Sequence, residues 1–244
     1  MDSSDAGNTV STPIEMISQA PKTKASAALK IKSLDIFIFN AVGGLGIDSY
    51  ERMDDYKLGN RFDATSTYGE KHIVLIANCP ADKLMFTNFS NYADLENFMY
   101  ELEDESTEYP IMCGESDFYA GKESSCTVSL SSLLCEIVIS KIMSAELFNS
   151  ITVHLENFNS RAPVLGSSEF SSYSITSRGT EYTYRAGLTL YCYPYASKGG
   201  LGSPHTEISI SCRSGNKIKS YNITVNDGNG IERNSRYVYS INME

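Results

Sequence analysis

Strand-length apolar runs recur along this chain without the alternating helices that a parallel sheet needs, and no other feature limits its fold so tightly. The clearest run, Glu70-Lys-His-Ile-Val-Leu-Ile-Ala-Asn-Cys-Pro80, is apolar on both parities and ends in a polar turn bearing a proline. Leu34-Asp-Ile-Phe-Ile-Phe39 has the same character apart from Asp35. A strand covered on both faces shows this pattern, so both runs read as central strands of a sandwich. Further strands are expected at 124–130, 133–142, 150–157, 188–193, 206–212, 217–225 and 237–243, with a short β-capable patch, Ile14-Glu-Met-Ile-Ser18, after Pro13. The chain is therefore all-β. The one exception is a helix over 91–102, where Asn91 can cap, Asp94 suits the positive first turn, and Leu95, Phe98, Met99 and Leu102 recur at helical spacing.

At 244 residues the chain can bury two cores of ordinary size. Residues 1–27 read as a polar tether with one detachable strand, 28–160 as an N-terminal β-sandwich domain, and 161–244 as a smaller C-terminal antiparallel one, the two meeting in a linker from Asn157 to Ser168 that holds Pro163 and Gly166. Asn40 to Thr67 reads as a loop rich in Gly, Asp and Tyr. Gly215-Asn and Asn226-Asp-Gly-Asn-Gly230 are turn signals between the last strands. No run approaches the roughly 18 apolar residues of a membrane span. The start carries no charged-then-apolar leader, so an export signal is expected to have been removed.

A net charge of −10 repels phosphate backbones and anionic headgroups, which argues against nucleic acid as a partner. Gly43-Gly-Leu-Gly46 follows a strand but leads into Ile47-Asp-Ser-Tyr-Glu-Arg-Met-Asp-Asp55, where a phosphate would meet acid, so it reads as a flexible loop. The 226–230 turn lacks the glutamate and alternating oxygen ligands of a calcium loop and reads as a hairpin turn. Six cysteines show no Cys-x-x-Cys and no nearby His; Cys135 reads as a buried free thiol, and a Cys192–Cys212 bridge is left open. His72, His154 and His205 stand in no arrangement that would activate a nucleophile. No catalytic residue, metal site or cofactor is expected.

Six segments in order resemble the fimbrillin family, the subunits of Bacteroidales type V pili. They are Leu34-Asp-Ile-Phe-Ile-Phe-Asn40, Gly69 to Ala81, Pro110-Ile-Met-Cys-Gly114, Val128 to Ile142, Leu190-Tyr-Cys-Tyr-Pro194 and Ile231-Glu-Arg-Asn-Ser-Arg-Tyr237. The resemblance implies two transthyretin-like β-sandwich domains in tandem, export as a lipoprotein to the outer membrane, and a non-enzymatic subunit of an adhesive fimbria. It also implies assembly by strand exchange: an amino-terminal strand is cut away and a neighbouring subunit fills the groove. The partners would be other pilus subunits and a host protein or glycan.

On that reading Ile14, Met16 and Ile17 belong to the strand that is lost. No arginine precedes Arg52, so a cut falls to Lys22 or Lys24 in the tether, or to Lys30 or Lys32 just after it. Tyr237, Tyr239, Ile241 and Met243 alternate cleanly and can fill either their own domain or a neighbour's. If they fill their own, a place at the tip or base of the pilus is favoured. The competing reading is a stand-alone exported carbohydrate- or protein-binding module. Its contact surface would be the aromatic loops around Tyr50, Tyr56 and Tyr68, or Tyr191 to Tyr195.

Overall fold

The structure, a computed structural model, describes residues 9–18, 31–54, 61–84, 89–122, 124–165, 175–197, 199–200 and 202–243. In chain order the elements of the first half are β1 (Thr9–Ser18), β2 (Ser33–Asn40), β3 (Ile47–Asp54), β4 (Arg61–Thr67), β5 (Gly69–Ala77), α1 (Tyr92–Glu96), β6 (Met99–Glu101), β7 (Met112–Ala120) and β8 (Cys126–Ser132). There follow β9 (Cys135–Ser144), β10 (Ser150–Glu156), β11 (Phe158–Asn159), β12 (Arg161–Pro163), β13 (Ile175–Thr176) and β14 (Tyr182–Thr183). The last four are β15 (Leu188–Cys192), β16 (Glu207–Ser214), β17 (Lys217–Thr224) and β18 (Arg236–Met243).

Seven strands form one sheet in the order β3-β2-β5-β7-β8-β1-β4. Its two outer strands are tied together by side chains: Ser49 Oγ donates to the Thr65 carbonyl at 2.7 Å, and Asp48 accepts from the Thr67 hydroxyl at 2.6 Å. The sheet therefore curls around an interior. Even-numbered residues of β2 (Leu34, Ile36, Ile38) and odd-numbered residues of β5 (Ile73, Leu75, Ala77) fill it, with Ile14, Met16, Ala64, Val128 and Leu130. The opposite parities, Phe37, Phe39, Val74 and Ile76, pack outward against Leu95, Tyr100, Ala162 and Val164. Both faces of β2 and β5 are thus covered, as their sequences require. Asp35 shares the outer face, where it accepts from Arg52 at 2.7 Å and Tyr50 at 2.8 Å. Burial nonetheless outweighs those partners and raises its pKa.

The second core lies between a four-stranded sheet, β14-β10-β16-β17, and a three-stranded one, β15-β9-β18. Ile137 and Ile139 of β9 meet Val153 and Leu155 of β10, Leu190 of β15, Ile208 and Ile210 of β16, and Ile241 and Met243 of β18. Strands β9 and β10 precede residue 160, yet they pair with β15 and β18 and with β14 and β16. Among the long strands the change of sheet partners accordingly falls between β8 and β9, while the short β12 returns to pair with β6. The last four long strands are also not one antiparallel set: β18 runs parallel to β9, and β16 and β17 alone among them pair with each other.

The helix expected over 91–102 spans only Tyr92–Glu96. Its start is as read, a capping box in which Asn91 and Asp94 satisfy each other's backbone N–H groups. Its end is not, because Met99–Glu101 pair with Pro163–Arg161 as β6 and β12, and the ladder outcompetes a further helical turn. The loop expected from Asn40 to Thr67 holds two strands, β3 and β4, whose polar sequences are half covered or exposed apart from the buried Ala64 and Ser66. The 226–230 turn is a turn, with Asn226 and Asp227 left-handed, but it carries the chain from one sheet to the other and is not a hairpin. Gly43 and Gly44, both at positive φ, close the β2–β3 hairpin.

Candidate strand-exchange site

β1 is inserted between two strands of the first sheet. It pairs antiparallel with β4 from Thr9↔Thr67 to Glu15↔Arg61 and parallel with β8 from Ile14↔Cys126 to Ser18↔Leu130. Its first half is paired on the β4 side alone, and Pro13, which has no N–H to donate, lies there. Ile14 (0 % exposed) and Met16 (3 %) enter the first core, whereas Ile17 lies on the opposite parity and is 49 % exposed. The anchors of β1 are therefore two side chains. At roughly 1.5–3 kcal/mol each their burial favours the inserted state by about 3–6 kcal/mol, an upper bound before ordering entropy.

The seat is imperfect. Thr12 is fully buried opposite Ala64, and among the described residues its hydroxyl finds no hydrogen-bond partner. Ser66, opposite Val10 on β4, and Ser129, opposite Ile17 on β8, carry buried hydroxyls in the same condition. An unpaired buried hydroxyl costs about 1–3 kcal/mol, so β1 holds its groove below the strength an apolar strand would reach. Patterning alone could have raised this signal, since Thr12 shares the parity of Ile14 and Met16.

At the other end of the described chain β18 is an edge strand, bonded among the described residues to β9 alone. Ile241 and Met243 are buried in the second core. Tyr237 and Tyr239 are half-buried against it, their hydroxyls accepting from the N–H groups of Glu232 at 3.1 Å and Asn226 at 2.8 Å. All four residues expected to alternate thus face this chain's own core. β17, the edge of the facing sheet, leaves Ile218 exposed.

Residues 17–117 match the family model of the major fimbrial subunit protein (FimA). A fimbrilin (FimA) of Porphyromonas gingivalis superposes with a TM-score of 0.73 at 12 % identity, over 96 % of this chain and 89 % of that one. The fold is that of a fimbrillin. The tip fimbrial protein Mfa3 of the same organism, truncated at its C-terminus, gives 0.70 at 13 % identity over 97 % and 96 % of the two chains. A fimbrial assembly protein of Parabacteroides distasonis gives 0.63 at 15 % identity, over 95 % of this chain and 91 % of its own. No curated protein is significantly similar in sequence.

Within this fimbrillin fold the remaining sequence candidates fall as follows. Lys22, Lys24 and Tyr56 lie outside the described residues. Of the 191–195 stretch, Tyr193 and Tyr195 are fully buried and Tyr191 is half-buried; Tyr193 donates to Glu105 at 2.7 Å. Tyr50 faces Asp35, while Tyr68 packs edge-on against Tyr119 with both rings partly exposed. All six cysteines are buried and free. Cys192 lies opposite Cys135 on β9, while Cys212 lies in the other sheet with its thiol 3.6 Å from Met243 Sδ, so the Cys192–Cys212 bridge is not formed. Burial pushes the Cys135 thiol up to about 12. His72 sits between Asp117 (2.6 Å) and Glu115 (3.5 Å). Among the described residues no helix is long and apolar enough to cross a membrane.

Proposed function

We propose that this chain is a structural, non-enzymatic subunit of a surface fimbria that assembles by exchange of β1 for a strand of a neighbouring subunit. The observation that carries the proposal is the seating of β1. A segment at the start of the chain, followed by a stretch containing Lys22 and Lys24, fills a groove between β4 and β8 with two apolar anchors. Removing it leaves seven paired positions on β4 and five on β8 without partners, together with an opened core. Such a groove takes up another extended strand by the same main-chain bonds and alternate side chains. The match to the FimA model and the fimbrillin fold support this reading, and surface localisation and contact with other pilus subunits follow from it.

β18 fills its own second core, which supports a position where this subunit accepts a strand without donating β18. Limited trypsin treatment of the full chain, followed by size exclusion and mass analysis, tests the mechanism. Cleavage at Lys22 or Lys24 followed by loss of the β1 peptide and formation of oligomers is the expected result. Cleavage with the product remaining monomeric after the peptide has left would refute it.

A further inference from the structure

Four side chains from four strands meet at one end of the first interior: Asn40 of β2, Asp48 of β3, Thr67 of β4 and Lys71 of β5. Lys71 is 2 % exposed, an unusual depth for an ammonium. Its Nζ donates to Asn40 Oδ1 at 2.5 Å and to Thr67 Oγ1 at 2.6 Å, and lies 3.4 Å from Asp48 Oδ1. Asn40 and Lys71 are direct partners in the antiparallel β2–β5 register. Beneath them on the same parity lie Ile38 and Ile73, and Phe118 flanks Lys71 from β7. A lysine offers donors only, so the amide atom against it is the carbonyl oxygen, and the electrophilic carbon is held beside the nitrogen.

We propose that Lys71 and Asn40 condense into an intramolecular isopeptide bond joining β2 to β5, with Asp48 carrying the protons. Asp48 takes a proton from the ammonium, and the freed Nζ lone pair attacks Asn40 Cγ. The tetrahedral adduct collapses with cleavage of Cγ–Nδ2, the leaving nitrogen receiving a proton from Asp48. One of the original ammonium protons stays on the new amide, one leaves in ammonia, and one remains on Asp48 or departs with the ammonia as ammonium. No oxidant, metal or second substrate is needed. Contact geometry replaces the intermolecular encounter that makes such a condensation slow in water. Asp48 stands as the ionised carboxylate: burial opposes its charge, but bonds from the Thr67 hydroxyl and N–H outweigh this and hold its carboxyl below the ordinary range. In a subunit that transmits pulling force, the product would replace a hydrogen-bonded contact between two central strands by a covalent one.

Intact mass measurement of the purified full chain tests the proposal. The wild-type chain is expected to be lighter than its sequence by one ammonia and to yield a branched tryptic peptide containing both Asn40 and Lys71. Lys71→Arg and Asp48→Asn are expected to keep the full sequence mass. A wild-type mass equal to the sequence, or a linear peptide ending at Lys71, would overturn the proposal. An ammonia loss that survives in Lys71→Arg would overturn it too, placing the loss in a backbone succinimide such as one at Asn229-Gly230. Should the variants fail to fold, the wild-type peptide map decides alone.

Discussion

Replacing Ile14 by Ala tests whether β1 is held as its packing implies. Ile14 is fully buried, lies between Phe62 of β4 and Cys126 of β8, and belongs to the first core. The substitution removes three carbon groups, worth about 2.4 kcal/mol at ~0.8 kcal/mol each, and leaves a cavity that brings the total to about 3–4 kcal/mol. Ile17→Ala on the same strand removes the same atoms from a half-exposed position and should stay within about 0.5 kcal/mol. The assay is urea unfolding followed by far-UV circular dichroism, since the chain has no Trp. If the two cores unfold separately, only the transition of the first should move for Ile14→Ala. Equal effects at 14 and 17, or a loss at 14 below about 1 kcal/mol, would show that β1 is not anchored by its inward side chains.

Other perturbations follow from the same packing. Thr12→Val exchanges an unpaired buried hydroxyl for a methyl and should stabilise the chain by about 1 kcal/mol in the same titration, while slowing release of β1 after proteolysis. Gly114→Ala places a Cβ 2.2 Å from the Ser129 carbonyl oxygen where β7 passes β8, and should cost at least about 1–3 kcal/mol because backbone must move. Arg52→Ala leaves Asp35 buried with Tyr50 as its remaining side-chain partner, and should cost about 3 kcal/mol at neutral pH with partial recovery in acid as Asp35 takes a proton. His72 has its pKa raised, first by its contact with Glu115 and against burial, whereas the Glu115 pKa is lowered by the same contact. The His72 contribution is therefore fully present below pH 6.5 and lost as pH rises through the higher folded value, and that of Glu115 is lost as pH falls below 4.5. His72→Asn should accordingly be most destabilising between those limits and progressively less so as pH rises through the folded value of His72, read as the change in thermal midpoint.

Strands covered on both faces were legible because the hydrophobic pattern leaves them no other use. In β2 and β5 both parities are apolar, and the structure buries one parity in the interior and the other against α1 and β12. The alternation of Tyr237, Tyr239, Ile241 and Met243 likewise marked the face that β18 turns inward. Pattern was silent where pairing depends on distant residues. β3 and β4 are polar enough to read as a loop and become strands because β2 and β1 offer them edges. The apolar residues after Glu96 fit a helix equally well, and a ladder with β12, some 60 residues on, makes them a strand.

The residues of β1 by themselves determined that it could be a strand with one buried parity at Ile14 and Met16. Only the folded chain decided that this strand enters the middle of a sheet, with a buried Thr12 beneath it and Ile17 turned outward. It was likewise the tertiary structure that set Asn40, Asp48, Thr67 and Lys71 against one another, because their proximity comes from strand register and sheet curvature, which no local preference encodes.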